Sequence, residues 1–394
     1  MPTTTEGVGM RKGARIAVSI TAGLVAVITA GVGVLAYLDR PLSRAGVDAA
    51  IQQRLQDTVT EHESVTGALF ATYSGRTGEL HRYAAGTARV DSRFHSASVG
   101  KTMLAAVYGQ LVDEGRVSFE DPVGEWLGAA VLDGLFAPGR AGDVTLGQLL
   151  GHTSGAADYF DGPVVSGPPM IDLITTDPDR LFTPADLLAF SREHQRPAAD
   201  PGTTFAYSDT GYVLLGLALE AIERRSYAEI LDRRLFEPLG MRDSRLLTEY
   251  GPDAGVLAVT ARGVDLSDRN ALSVDWAGGG VVTTTADLVT FMRAFTTGGL
   301  VSAPTLARLT DFEHELQPGV RYGMGVMQFR FSELSPLLFS MSDAYGAVGA
   351  TGTYALYDPA GDTVFVANYG SLEFGEKAIE ELVGLRLIVD RLEE

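Results

Sequence analysis

FHSASVGKTM, residues 94–103, admits two readings with incompatible folds behind them. Gly100-Lys101-Thr102 resembles the close of a phosphate-cradling loop, while Ser98-Val99-Gly100-Lys101 is Ser-x-x-Lys, a nucleophile and a base one helical turn apart. A phosphate loop needs glycine five positions before its Gly-Lys pair, where the chain bends tightly enough to wrap N–H groups around phosphate. His95 stands there, and the residues leading in, RVDSRFHSA (89–97), are too polar and broken for a buried strand. The stretch therefore reads as Ser-x-x-Lys.

From Ser98 onward the pattern is helical, with Met103, Leu104, Val107, Leu111 and Val112 along one face and Gly115 at the stop. Ser98 then sits where free backbone N–H groups favour negative charge on a substrate oxygen, and Lys101 lies on the same face. A serine hydroxyl needs a base, and lysine serves when its surroundings lower its pKa. Of 31 basic residues only Lys12, Lys101 and Lys377 are lysines, and only Lys101 has a serine three places before it. Arginine cannot lose its proton in this way. Taken alone, the motif equally fits a capping serine beside a solvated lysine. No Gly-x-Ser-x-Gly elbow and no His-Glu-x-x-His helix occurs, and the six histidines are scattered, so neither that hydrolase class nor zinc chemistry is expected.

The 394 residues suffice for a complete enzyme, and a formal charge of -19 disfavours nucleic acid and anionic lipid surfaces as partners. The absence of cysteine excludes thiol catalysis, disulfides and Cys-ligated zinc. Arg11, Lys12 and Arg15 precede an uncharged run from Ile16 to Leu38, closed by Asp39-Arg40. Such a run is long enough to span a bilayer and longer than the apolar part of most signal peptides. The expectation is a cytoplasmic segment 1–15, an anchor 16–38 and a domain 39–394 outside the cytoplasmic membrane. A cleaved signal ending near Val34-Leu35-Ala36 would instead give a secreted protein.

Beyond the anchor, 48–61 is patterned as an amphipathic helix, and TGALFATYSG (66–75) and ELHRYAAGTA (79–88) read as strands joined through Gly75-Arg76-Thr77-Gly78. Residues 120–300 alternate helical segments with Gly, Pro and Asp; short strands return in YGMGVMQFRF, TYALYDP and TVFVANYG, before a last helix over 373–392. Strands at both ends with helices between predict an α+β or mixed α/β fold: one sheet built from both chain ends, with terminal helices and a mostly helical insertion.

SRFHSASVGKTMLAAVYGQLVDEGRVSFEDPVGEWL (92–127), VTLGQLLGHTSG (144–155), PGTTFAYSDTGYVLLGLALE (201–220), FEPLGMRDS (236–244), WAGGGVVTTTADLVTFMRAF (276–295) and GATGTYALYDPAGDTVFVANYG (349–370) occur in that order. Together they resemble the serine β-lactamase-like and penicillin-binding-protein superfamily, especially its class C β-lactamase, D-alanyl-D-alanine carboxypeptidase and esterase branch. The resemblance covers most of 50–390. It implies an antiparallel sheet, a β-lactamase/transpeptidase-like fold, and hydrolysis of a small-molecule or peptide acyl substrate without cofactor or metal. It makes Ser98 the acylated nucleophile, Lys101 its base partner and Tyr207 the proton shuttle of the second motif; a plain core tyrosine is the alternative for Tyr207. Asp209 stands where the family more often has Asn, a change expected to raise the pKa of Lys101.

The third motif departs from the family. Where Lys-Thr-Gly or His-x-Gly is usual, this chain has Ala347-Val348-Gly349, which supplies neither proton nor charge. Ala350, next in the strand, would still offer an N–H to an oxyanion hole together with Ser98. Substrates recognised through a carboxylate are accordingly disfavoured against esters and simple amides. The alternative is a non-catalytic module that binds or senses cell-wall peptides. His152 reads as a cap rather than a substrate contact, and Gly278 to Gly280 as a turn rather than a site of close backbone approach.

Overall fold

The structure, a computed structural model, describes residues 41–247 and 255–392. The apolar run 16–38 and its basic flank lie outside those residues. Among the described residues no helix is long and apolar enough to cross a membrane.

Strands β1 (Gly67–Ser74) and β2 (Leu80–Gly86) come from the start of the domain. The others in their sheet come from its end: β8 (His314–Gln317), β9 (Val320–Tyr322), β10 (Met327–Phe329), β11 (Ala344–Gly349), β12 (Thr353–Asp358) and β13 (Thr363–Asn368). All eight pair antiparallel in the order β2-β1-β13-β12-β11-β10-β9-β8. The two chain ends meet where β1 pairs β13, from Leu69 opposite Asn368 to Ser74 opposite Thr363. Gly78, at φ +75, turns β1 into β2 as the sequence predicts.

Strand alternation divides the apolar side chains between two cores. Ala68 and Phe70 of β1 and Phe365 and Ala367 of β13 join α1 (Arg44–Glu61) and α8 (Ala378–Val389), whose Val47, Ile51, Leu55, Leu382 and Leu385 complete that core. Leu69, Ala71, Val364 and Val366 face the opposite way, toward the helical insertion. Both faces are covered, which explains why β1 reads as a nearly continuous apolar run.

The insertion includes α2 (Val99–Asp113), α3 (Leu146–Leu150), α4 (Pro184–His194), α5 (Asp209–Glu223), α6 (Trp276–Gly279) and α7 (Thr285–Thr296). Three details differ from the sequence expectation. α2 is buried from Val99 to Gly109 rather than along one face, because it runs between the sheet and the other helices. The insertion also carries strands: β3 (Phe94–His95), β4 (Arg245–Leu246) and β7 (Val281–Thr283) form a small sheet, and β5 (Thr260–Ala261) pairs β6 (Val264–Asp265). The last helix is shorter than 373–392 and follows a 3-10 turn, Gly375–Lys377.

Candidate active site

The chain leaves β3 and enters α2 through Ala97, a non-glycine residue at φ +47. Such a conformation is costly and persists only where its surroundings hold it. Here the Ala97 N–H donates to His95 Nδ1 at 3.2 Å, Ser96 Oγ donates to the Gly279 carbonyl at 3.0 Å, and the Ser96 N–H donates to Val281 O at 2.8 Å. Burial lowers the His95 pKa to about 4, so its ring stays neutral and free to accept. Gly278 to Gly280 are therefore more than the turn expected. A Cβ on Gly279 would overlap the Ala97 carbonyl, and one on Gly100 would lie 2.8 Å from Gly279 Cα.

This turn leaves Ser98 at the N-terminus of α2, with Lys101 one turn along and 1 % exposed. Lys101 Nζ donates to Ser98 Oγ at 3.0 Å and to the Gly278 carbonyl at 2.9 Å, and forms an ion pair with Asp209 at 2.5 Å. Burial pulls its pKa down, but the carboxylates of Asp209 and Asp275 outweigh burial and the net shift is upward. The direction for Lys101 is thus the one expected from Asp209, and the resting lysine is charged rather than a free amine.

Tyr207 approaches from the segment before α5, and its hydroxyl donates to Ser98 Oγ at 3.1 Å. Burial, and next the charge of Asp209, drive its pKa well above the ordinary tyrosine value, so it is a phenol at neutral pH. His152, fully buried and at φ +56, holds Tyr207 from behind. Its ring stacks on the tyrosine with centroids 4.1 Å apart. Its carbonyl accepts the Ala206 N–H at 2.8 Å and its Nδ1 accepts the Ser208 N–H at 3.0 Å. His152 is thus structural, and the structure it secures is the position of Tyr207.

Two carboxyls escaped the sequence reading. Asp158 accepts the Asp209 N–H at 3.2 Å; burial and the Asp209 charge raise its pKa to about 8. Asp275, just before α6, is raised to about 7, with burial the largest cause and Asp209 adding to it against Lys101. Only their separation in sequence hid them, since both cluster with Asp209 around a single lysine. Among the described residues no group of three or more His, Cys, Asp or Glu is arranged to hold a metal ion.

β11 brings the third segment to the same place. A Cβ on Gly349 would lie 2.6 Å from Ala97 Cβ and 3.1 Å from Ser98 N, so glycine permits the strand to reach the serine. Ala347 is buried in the strand, and Ala350 lies just past its end in an exposed turn rather than within it. Neither the Ser98 nor the Ala350 N–H has an intramolecular acceptor among the described residues. The structure thus brings Ser98, Lys101, Tyr207, Asp209 and Gly349 into contact, with Ala350 adjoining.

Comparison with known proteins places the whole fold. The chain is 34% identical over 207 residues to penicillin-binding protein 4 of Amycolatopsis lactamdurans, a match covering 50% of this chain and 49% of that one. It is 24% identical over 269 residues to the D-alanyl-D-alanine-carboxypeptidase/endopeptidase AmpH of Escherichia coli (strain K12), covering 65% of this chain and 64% of that one. The chain thus spans between about half and two thirds of the length of these curated relatives. Among solved structures, a D-stereospecific amidohydrolase from Streptomyces sp. superposes with a TM-score of 0.71 at 28% identity, over 84% of this chain and 97% of that one. The family model described as Beta-lactamase matches residues 47–380, from α1 into α8 and across the whole Ser98 cleft, and the chain belongs to that family.

Proposed function

We propose that this chain is a serine hydrolase that cleaves small amide, peptide or ester substrates through an acyl enzyme on Ser98. The observation that carries the reading is the convergence of Lys101 Nζ and Tyr207 OH, at 3.0 and 3.1 Å, on one serine oxygen at a helix N-terminus. A capping serine beside a solvated lysine would need neither contact.

Ser98 Oγ attacks the acyl carbon, and its proton passes to Lys101 as Lys101 releases one to Asp209, 2.5 Å away. The carboxylate is the terminal acceptor, as a lysine held charged at rest requires. The N–H groups of Ser98 and Ala350 receive the tetrahedral oxyanion. Tyr207 gives its proton to the leaving nitrogen or oxygen and recovers one from Asp209 through Lys101. Water then takes the place of the leaving group and, by the reverse transfers, frees Ser98.

Amides rank first among the substrates, on the amidohydrolase and carboxypeptidase names of the relatives. Dedicated β-lactam hydrolysis ranks below them, because Ala347 brings no cation to hold a carboxylate. Action outside the cytoplasmic membrane, tethered through residues 16–38, rests on that apolar run and its basic flank.

The test is intact mass after exposure to a fluorophosphonate, with Ser98→Ala beside the parent, then turnover of D- and L-aminoacyl amides, short-chain esters and nitrocefin. One adduct on the parent and none on the variant is expected. A folded parent that takes no adduct would transfer the cleft to the binding-module reading.

A further inference from the structure

The eight-stranded sheet has two ends, and strand polarity says which one holds Ser98. Gly349, at the close of β11, packs on the serine. Ala344, at the opening of β11, is therefore at the remote end, roughly 17 Å away at about 3.3 Å per residue. The antiparallel neighbours bring their own residues to the same end: Tyr357 pairs with Tyr345, Asp358 with Thr363, and Thr363 with Ser74.

Three features gather at the remote end. The first is the close of α8, where Arg386 donates to the Ser342 carbonyl and to Asp358, each at 2.9 Å. The second is the entry of the chain: the Leu42 N–H donates to Arg391 O at 2.7 Å, just past α8, and α1 then returns the chain to the Ser98 end over about 27 Å. Leu42 comes four residues after Leu38, where the apolar run 16–38 stops. The third is exposed apolar surface. Phe339 is 80% and Leu337 43% exposed in the connection between β10 and β11, and Leu80, opposite Tyr73 at the start of β2, is 38% exposed. These are half of the six large apolar side chains exposed among the described residues.

We propose that the remote end is a membrane-docking surface. It rests on the bilayer entered by residues 16–38, with Leu337 and Phe339 in the boundary between headgroups and acyl chains. The inference depends on the membrane-anchor part of the proposed function. An anchor joined at Leu42 alone leaves the domain free to tilt. Large apolar side chains at the same end favour one orientation, because burying them in the interface removes them from water. In that orientation the Ser98 cleft is held away from the lipid by the length of the strands, so its acyl donors arrive from the aqueous or wall side.

The chain has no cysteine, so single-cysteine variants report one position each. Leu337→Cys, Phe339→Cys and, as a control at the Ser98 end between α1 and β1, Glu63→Cys would be made in the full chain. Each would be reconstituted in phosphatidylcholine vesicles and labelled with a nitrobenzoxadiazole fluorophore, with fluorophosphonate labelling of Ser98 as the check on folding. The expected result is loss of fluorescence to a nitroxide-bearing lipid at 337 and 339 and none at 63. Chains that float with the vesicles yet show equal quenching at 339 and 63 would overturn the docking while leaving the anchor intact. Chains that do not float would remove both. A covalent dimer formed by a bis-maleimide across Phe339→Cys, without lipid quenching, would assign the surface to a second copy and also overturn the inference.

Discussion

Asp275→Asn should make the protein more stable at neutral and alkaline pH while impairing the site. In the folded chain the Asp275 carboxyl is raised from 3.8 to about 7, chiefly by burial and then by the charge of Asp209. The folded state thus holds this proton more tightly than the unfolded chain does. Stability is fully present below about pH 4, where both states are protonated, and is lost as pH rises toward 7. At about 1.4 kcal/mol per pKa unit the ceiling on that loss is about 4 kcal/mol. The carboxylate keeps 21% of its side-chain exposure, and solvent screening reduces the ceiling, so about 2 kcal/mol is the working expectation. Asn is isosteric, and among the described residues no hydrogen bond of the Asp275 side chain would be lost with the carboxylate. Urea unfolding of parent and variant at pH 4, 6, 7.5 and 9 measures the effect. The curves should coincide at pH 4 and separate, with the variant the more stable, by pH 7.5. Parallel pH dependence in the two proteins would refute the reasoning.

Asp209→Asn removes the group proposed as terminal proton acceptor and the largest charge supporting Lys101. Turnover at pH 7 should fall by about 10²–10⁴-fold and climb again with rising pH as Lys101 sheds its own proton, a climb absent from the parent's pH profile. Gly279→Ala drives a methyl into the Ala97 carbonyl, so fluorophosphonate labelling of Ser98 should slow and stability drop by about 1–3 kcal/mol, read by labelling rate and thermal melt. Arg386→Met removes the cation paired with the buried Asp358 and should cost about 3–5 kcal/mol in urea unfolding.

Ser98, Lys101 and Tyr207, which the structure brings together, were legible as candidates because each belongs to a local pattern. A serine opening a helix, a lysine one turn on, and a tyrosine before another helix can each be recognised from a few neighbours. The same held for the sheet, since GALFATYS and TVFVAN are short apolar runs bounded by turn residues, the mark of strands buried on both faces. Asp158 and Asp275 had no such signature. Each stands in an ordinary loop sequence, and its pKa is displaced by burial and by Asp209, about 50 and 66 positions away, which only folding makes a neighbour. The glycines 278 to 280 suggested a turn for a similar reason: the backbone they must pass, at Ala97 and Gly100, is nearly 180 residues away.

What the sequence determined by itself was the class of chemistry, because Ser98 and Lys101 lie within one helical turn and the motif order that marks the family is a property of the chain. It also determined the family and the α+β layout, since hydrophobic period and turn residues act over short range. The tertiary structure settled the charge on Lys101, which Asp209 in the sequence had only led one to expect. Burial and neighbouring carboxylates pull its proton affinity in opposite directions, and only the 2.5 Å approach of Asp209, with Asp275 behind it, tips the balance toward the protonated form. It likewise decided which end of the sheet receives the chain from residues 1–40, because that follows from strand polarity and from the Leu42–Leu392 pairing between segments 350 residues apart.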